Sequence, residues 1–380
     1  MPVDDALAQQ IELAAVEMAW GAGGILGGHF GKRISVEYKD KDQRDPVTEV
    51  DKSCQEFLSK EINRRFPGHG ILGEETPESE SSADKASADR NVGSGAKSGE
   101  SSGVAHNGVG GTGHHSGDKE PASEDSEYRE ASESRGTTES SGATESVEEP
   151  SPDYLWVLDP LDGTTNFLNG LPVYACSIGV LHRGLPVAAA LFIPWPNPKR
   201  GFVLHCRKGG GCFADDEPVS VYQSKELVAN KLIGLPGYFP VTTQFAPKVR
   251  SKAGELRTTG SIAYELAMTA IGVMQYSIFG APRMWDMAGG ALAVMEAKGT
   301  VMTKFRGEKQ WHALESLVPS WETKTPTMKE LRGWMAPLIA GNEQLAPLIA
   351  NNIRPKFRPL ADIRRISKKL VPKRSKQQGH

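Results

Sequence analysis

Apolar residues recur at three- and four-residue steps near the start of the chain (Leu7, Ile11, Ala14, Ala15, Met18, Ala19), which predicts a helix over residues 4–26. The glycines from Gly21 to Gly28 are expected to fray or end it. They follow no strand and match neither GxGxxG nor GxxxxGKS/T spacing, so they do not read as a phosphate loop. A second helix is predicted over 49–65, with Val50, Cys54, Phe57, Leu58 and Ile62 on its apolar side and Thr48 as N-cap. Short apolar runs predict strands at 71–72, 154–158, 174–181, 186–193, 201–205 and 273–278, with a turn at His182-Arg183-Gly184. Helices are expected over 261–271 and from Asp286 to Gly299, the latter leading into a strand at Val301. Strands and helices mixed in this way point to a layered α/β or α+β body. Residues 325–349 read as one or two amphipathic helices around Leu331, Trp334, Met335, Leu338 and Ile339.

Between Glu78 and Glu149 the pattern disappears. Across these 72 residues the only aromatic or β-branched aliphatic residues are Val92, Val104, Val109, Tyr128 and Val147. With 16 Ser and 11 Gly, the segment cannot recover its ordering entropy through burial, and a disordered surface insertion is expected. Its histidines, His106, His114 and His115, read as surface residues. The core must come from the rest of the 380 residues.

Charge is segregated in the same way. The chain carries a net charge of −3, but 78–149 holds 16 acidic and 6 basic residues, whereas 351–380 holds 10 Lys or Arg against Asp362 alone. Within that basic tail Ile363, Ile366 and Leu370 lie at helical spacing, so it is expected to pack a few apolar residues on the body, or to contact an anionic surface or the acidic insertion. No aromatic-interleaved nucleic-acid module accompanies it. No apolar run reaches the roughly 18 residues a membrane-spanning helix requires. Four cysteines without a CxxC pair (Cys54, Cys176, Cys206, Cys212), and Asp4 and Asp5 in place of a basic leader, point to a reducing, cytoplasmic setting without a secretion signal. The expected organisation is a body formed by 1–77 and 150–322, the insertion 78–149, a helical extension 323–350 and the tail 351–380.

The sharpest chemical signal is Asp159-Pro160-Leu161-Asp162-Gly163 at the exit of an apolar strand. Two carboxylates on a tight turn, stiffened by Pro160 and relieved by Gly163, are hard oxygen ligands of the kind Mg²⁺ takes. Glu74 and Glu75 follow the short apolar strand, Asp51 lies in the first turn of a helix, and Asp286 opens another beside Trp285. Each alone has an ordinary structural explanation. Together they form a ligand set if the fold gathers them, since converging acids without cations repel one another.

The segments Asp45-Pro-Val-Thr-Glu-Val-Asp51, Gly73-Glu-Glu75, Trp156-Val-Leu-Asp-Pro-Leu-Asp-Gly-Thr-Thr-Asn-Phe167 and Trp285-Asp-Met-Ala-Gly-Gly290 resemble, in order and approximate spacing, the signature stretches of the inositol monophosphatase family. The resemblance covers residues 4 to about 315 apart from the insertion. It implies an α-β-α-β-α sandwich, usually dimeric, that hydrolyses phosphate monoesters with Mg²⁺ and is often inhibited by Li⁺. It also implies that Glu74, Asp159 and the Leu161 carbonyl hold the ion that activates water, and that Asp159, Asp162 and Asp286 hold the ion facing the leaving-group oxygen. Asp51 with Thr164 would orient the water, and backbone amides at Gly163 and Thr164 would receive the phosphate. A route through Cys176 or Cys212 would need an Arg-rich phosphate cradle that neither neighbourhood supplies.

Family members acting on inositol phosphates carry a glutamate seven residues before the Trp-Asp aspartate; this chain has Phe279 there, and Arg283 three residues before Asp286. Arg283 is therefore expected to meet a second phosphate or another anionic group of the substrate. Thr164-Thr165-Asn166-Phe167 looks more like the inositol-phosphate branch than the nucleotide-phosphate branch. The leading expectation is a cyclitol or sugar phosphate phosphatase. Fructose-1,6-bisphosphate is the alternative substrate, and a catalytically silent interaction scaffold is the alternative of another class.

Overall fold

The computed structural model describes residues 4–39, 46–75, 151–196 and 200–356. The insertion 78–149 and all of the basic tail beyond Lys356 lie outside the described residues, as does Asp45.

The chain begins with helix α1 (Asp5–His29), a hairpin of β1 (Val36–Tyr38) and β2 (Pro46–Thr48), and helix α2 (Glu49–Arg65). A seven-stranded sheet follows in chain order: β3 (Gly70–Gly73), β4 (Tyr154–Asp162), β5 (Ala175–His182), β6 (Leu185–Ile193), β7 (Phe202–Arg207), β8 (Gly211–Ala214) and β9 (Glu217–Pro218). Only the β3–β4 pair is parallel, and the short helix α3 (Thr164–Leu168) leaves the end of β4. The second half runs through β10 (Leu232–Gly234), α4 (Phe239–Thr242), β11 (Thr243–Phe245), α5 (Pro247–Arg250), β12 (Glu255–Arg257) and α6 (Ile262–Ala270). It continues with β13 (Met274–Phe279), α7 (Met284–Glu296), β14 (Gly299–Thr303), β15 (His312–Ala313), α8 (Met328–Arg332), β16 (Leu338–Asn342), α9 (Leu345–Ala350) and β17 (Ile353–Pro355). Six of these strands form a second sheet in the order β12-β10-β13-β16-β14-β15.

Side-chain alternation along β4 shows why the layers stack. Trp156 and Leu158 enter one apolar core with Ile11, Met18, Leu58 and Ile62 of α1 and α2, while Leu155 and Val157 enter another with Leu266 of α6 and Met287 and Leu292 of α7. A third core covers the far face of the six-stranded sheet, where Tyr276 and Ile339 meet Leu345 and Ile349 of α9. With both faces of each sheet covered, the result is the expected α-β-α-β-α sandwich.

The elements differ from expectation in three places. Helix α1 runs through its glycines to His29, because there the missing side chains make room for rings: a Cβ at Gly21 would lie 2.4 Å from Phe57, and one at Gly23 2.3 Å from Phe192. The 323–350 segment is not a helical extension. Leu338, Ile339 and Ala340 are buried in β16, between β13 and β14 in the interior of the second sheet, so the segment completes the body instead of decorating it. The start of the basic tail is likewise structural, since β17 pairs with β11.

Candidate active site

A cleft of about 190 Å³ opens where β3, β4 and α7 end or begin, lined by Glu74, Asp159, Leu161, Asp162, Gly163, Thr164, Thr165, Gly260 and Asp286, with Pro46 at its edge. Glu74 comes to Asp159 because the parallel pairing continues one residue past β3: its N–H donates to Leu158 O at 3.0 Å. Along β4 the register slips by one residue between Asp159, opposite Ser177, and Asp162, opposite Ala175. This bulge lets both carboxylates line the same cleft in spite of their odd spacing. Gly163 then turns the chain at φ +93° into α3, a conformation that costs glycine nothing.

Each acid is held by neighbours. Leu161 N–H donates to Asp159 Oδ1 at 3.1 Å, and Ser261 Oγ donates to Asp162 Oδ2 at 2.8 Å, joined there by Ala263 N–H. Arg283 N–H donates to Asp286 Oδ2 at 2.7 Å; Asp286 is the third residue of α7's first turn, not its N-cap. Asp51 caps α2 in return: Thr48 N–H (2.9 Å) and hydroxyl both donate to its Oδ2, while Thr164 Oγ1 lies 3.1 Å from its Oδ1 and 3.0 Å from Leu161 O. Thus Asp51, which does not line the cleft, reaches it through Thr164.

Burial pushes the Asp159 and Asp162 carboxyls well above their ordinary range, and the charges of Glu74 and Asp286 push both further. Burial likewise raises Asp286 to about 7, partly opposed by the Arg283 amide, and raises Asp51 against the hydrogen bonds from Thr48 and Thr164. Lys39 meets the acids at one edge: its ammonium lies 2.8 Å from Glu74 Oε1 and also contacts Glu75. Burial alone would lower the Lys39 pKa, but the two glutamates hold it above its ordinary value.

As placed, no group of three Asp, Glu, His or Cys side chains among the described residues forms a ready coordination shell. The donor set nevertheless fits a hard cation. It consists of carboxylates and a carbonyl oxygen on an open cleft, and the acids are driven toward protonation for want of countercharge.

The cleft thus brings together Glu74, Asp159, Leu161, Asp162, Gly163, Thr164 and Asp286, with Asp51 behind Thr164. Arg283 does not line it. Its guanidinium donates to Arg332 O at 3.5 Å and lies 6.0 Å from the Trp285 ring, because the first turn of α7 uses its backbone, not its side chain. Phe279 is buried in the central core, consistent with its apolar character. Sequence reasoning missed Lys39, Ser261 and Gly260, which come from segments whose pairing with β3 and β4 is purely tertiary; Thr48 was visible only as a cap. All four cysteines are buried, and burial raises the thiols of Cys54 (to about 12), Cys176 and Cys206, which suits packing and not nucleophilic attack.

Fold and cleft together define the class: a five-layer sandwich carrying an all-oxygen acidic cleft at the junction of two sheets. The family model described as "Inositol monophosphatase family" matches residues 7–92 and 125–336. The chain is 29% identical to inositol monophosphatase 3 of Solanum lycopersicum, over 76% of this chain and 83% of that protein. It is 32% identical to inositol-1-monophosphatase of Mesorhizobium japonicum, over 75% of this chain and 82% of that one. Among solved structures, the extragenic suppressor protein suhB of Bartonella henselae superposes with a TM-score of 0.55 at 20% identity, covering 90% of this chain and 97% of that one. The chain belongs to the inositol monophosphatase family, a family of phosphatases.

Proposed function

We propose that the protein is a Mg²⁺-dependent phosphatase acting on a cyclitol or sugar phosphate monoester, with inositol 1-phosphate as the reference substrate. One observation carries this reading: acids from three distant segments, the ends of β3 and β4 and the start of α7, line one cleft with Gly163 and Thr164. Glu74, Asp159, the Leu161 carbonyl, Asp162 and Asp286 are the residues that would hold Mg²⁺. When bound, Mg²⁺ would supply a nucleophile at neutral pH and countercharge for the departing oxygen.

The chain's own groups would do the positioning. Thr48 fixes one oxygen of Asp51, leaving the other to orient the Thr164 hydroxyl. With its proton directed to Asp51 or Leu161, Thr164 Oγ1 keeps lone pairs that can accept a hydrogen bond from the attacking water. The first-turn amides at Gly163 and Thr164, which lack intrahelical acceptors, would receive the phosphate oxygens. Ser261 and Ala263 hold one oxygen of Asp162.

Phosphate release from inositol 1-phosphate by the purified protein, with Mg²⁺ and with chelator, tests the reading. Turnover that chelator abolishes supports it; no turnover under either condition favours the scaffold alternative. Fructose-1,6-bisphosphate belongs in the same panel as the alternative substrate. Inhibition by Li⁺, a homodimeric assembly, a cytoplasmic setting and a contact between insertion and basic tail are parts of the same proposal. The last would appear as insertion–tail crosslinks at low salt that vanish at high salt, and none at low salt would exclude it.

A further inference from the structure

Beside the cleft lies a second, larger concavity of about 780 Å³. The two share a wall, since Pro46 and Thr165 line both. The cleft itself is too small for more than the reacting phosphate and its counterions, because sites for whole small molecules run to roughly 300–1,000 Å³. The alcohol portion of a substrate must therefore extend out of it, and the adjoining concavity offers room of the right order.

The two spaces differ in sign. The cleft is walled by Glu74, Asp159, Asp162 and Asp286, which would repel a second anion on the substrate. The concavity carries Lys32 and Arg33, beside Leu168 and the ring of Tyr38, which is 45% exposed. Among the described residues, neither basic side chain is engaged in a hydrogen bond or ion pair, so both charges are available to a ligand. Tyr38 and Leu168 supply an apolar surface for the carbon skeleton between the two anionic ends.

We propose that this concavity is the leaving-group subsite, and that it selects phosphate esters whose alcohol carries a second anionic group, a phosphate or a carboxylate, received by Lys32 and Arg33. The inference rests on the phosphatase reading and deepens it. It also moves the second-anion role from Arg283, whose guanidinium turns to Arg332 O and Trp285 and lines neither space.

The test compares kcat/KM for fructose-1,6-bisphosphate and for inositol 1-phosphate, in Mg²⁺, for the full chain and for K32A/R33A, with R283A as the competing arm. Loss of charge-assisted hydrogen bonds is expected to lower kcat/KM for the bisphosphate by about 10-fold or more, mainly through KM, and to leave the monophosphate within about twofold. The charge reversal K32E/R33E should deepen the selective loss, and added salt should narrow the wild-type preference. Because both residues are exposed, the melting temperature should not move. Equal effects on both esters, no effect on either, a wild type that turns over only the monophosphate, or a selective loss in R283A instead would each overturn the subsite while leaving the phosphatase intact. A wild type inactive on both esters removes the phosphatase reading, and the subsite with it.

Discussion

Asp159 and Asp162 occupy the most crowded electrostatic position in the molecule, and their replacement separates chemistry from stability. D159A or D162A is expected to lower Mg²⁺-dependent phosphate release by at least about 100-fold, since even residues that only support metal ligands commonly cost 10- to 100-fold. The melting temperature should hold or rise, because each change relieves buried like-charge repulsion. Retained turnover in either variant would sink the ligand assignment. T164A removes the hydroxyl that links Asp51 to the cleft, so kcat should fall by about 100-fold with KM nearly unchanged; a KM effect alone would mean that Thr164 binds substrate without orienting water. Glu265 behaves differently. It is buried outside the cleft, where burial raises its carboxyl to about 7 although Thr259 N–H and Oγ1 donate to Oε1 at 2.9 and 2.8 Å. With the folded pKa above the ordinary 4.5, stability from this group is complete below about 4.5 and is lost as pH rises through about 7. E265Q keeps the acceptor and discards the charge, so its stability gain over wild type should be larger at pH 8 than at pH 5, on the order of 2 kcal/mol. Identical differences in melting temperature at the two pH values would refute this.

At the scale of elements, the site depends on how closely α7 approaches the seven-stranded sheet. A Cβ on Gly289 would lie 2.9 Å from Ile178 O, and one on Gly179 would lie 2.8 Å from the Gly289 nitrogen, so two glycines set the distance at which Asp286 reaches β4. G289A meets backbone, which cannot rotate away. It should cost about 1–3 kcal/mol in chemical denaturation and reduce activity along with it. A fully stable, fully active G289A would show that α7 has slack. Element types were largely legible in the sequence wherever periodicity was strong: α2 with its Thr48 cap, β4 to β6, α6 and α7 all appear near their expected positions. The misreadings have physical causes. Glycines that look like helix breakers in α1 are contact points for Phe57 and Phe192, and a three-residue apolar run in β16 carries too little local signal to be distinguished from a helical stripe until its two neighbouring strands are in place.

At the scale of the whole molecule, β3 and β4 adjoin across a gap of 80 residues in the chain, with Glu74 hydrogen-bonded beside Asp159. If the proposed insertion is dispensable for that pairing, deletion of 78–149 should leave the circular dichroism spectrum of the body and the Mg²⁺-dependent rate within about twofold, because the cost of closing a loop grows only slowly with its length. Loss of folding on deletion would show that the acidic segment belongs to the body. The sequence by itself determined which residues carry chemistry, since Asp-x-x-Asp-Gly at a strand exit and acids at element ends are local patterns with local causes. It also determined the layered class, through burial of apolar runs too regular to be left in water. Only the tertiary structure decided which of those acids share one cleft, that Arg283 turns away from it, and that Lys39 and Ser261 join its neighbourhood. Those outcomes depend on a one-residue bulge, on parallel pairing across the gap and on two glycines beneath α7, and such long-range geometry leaves no periodic trace in the chain.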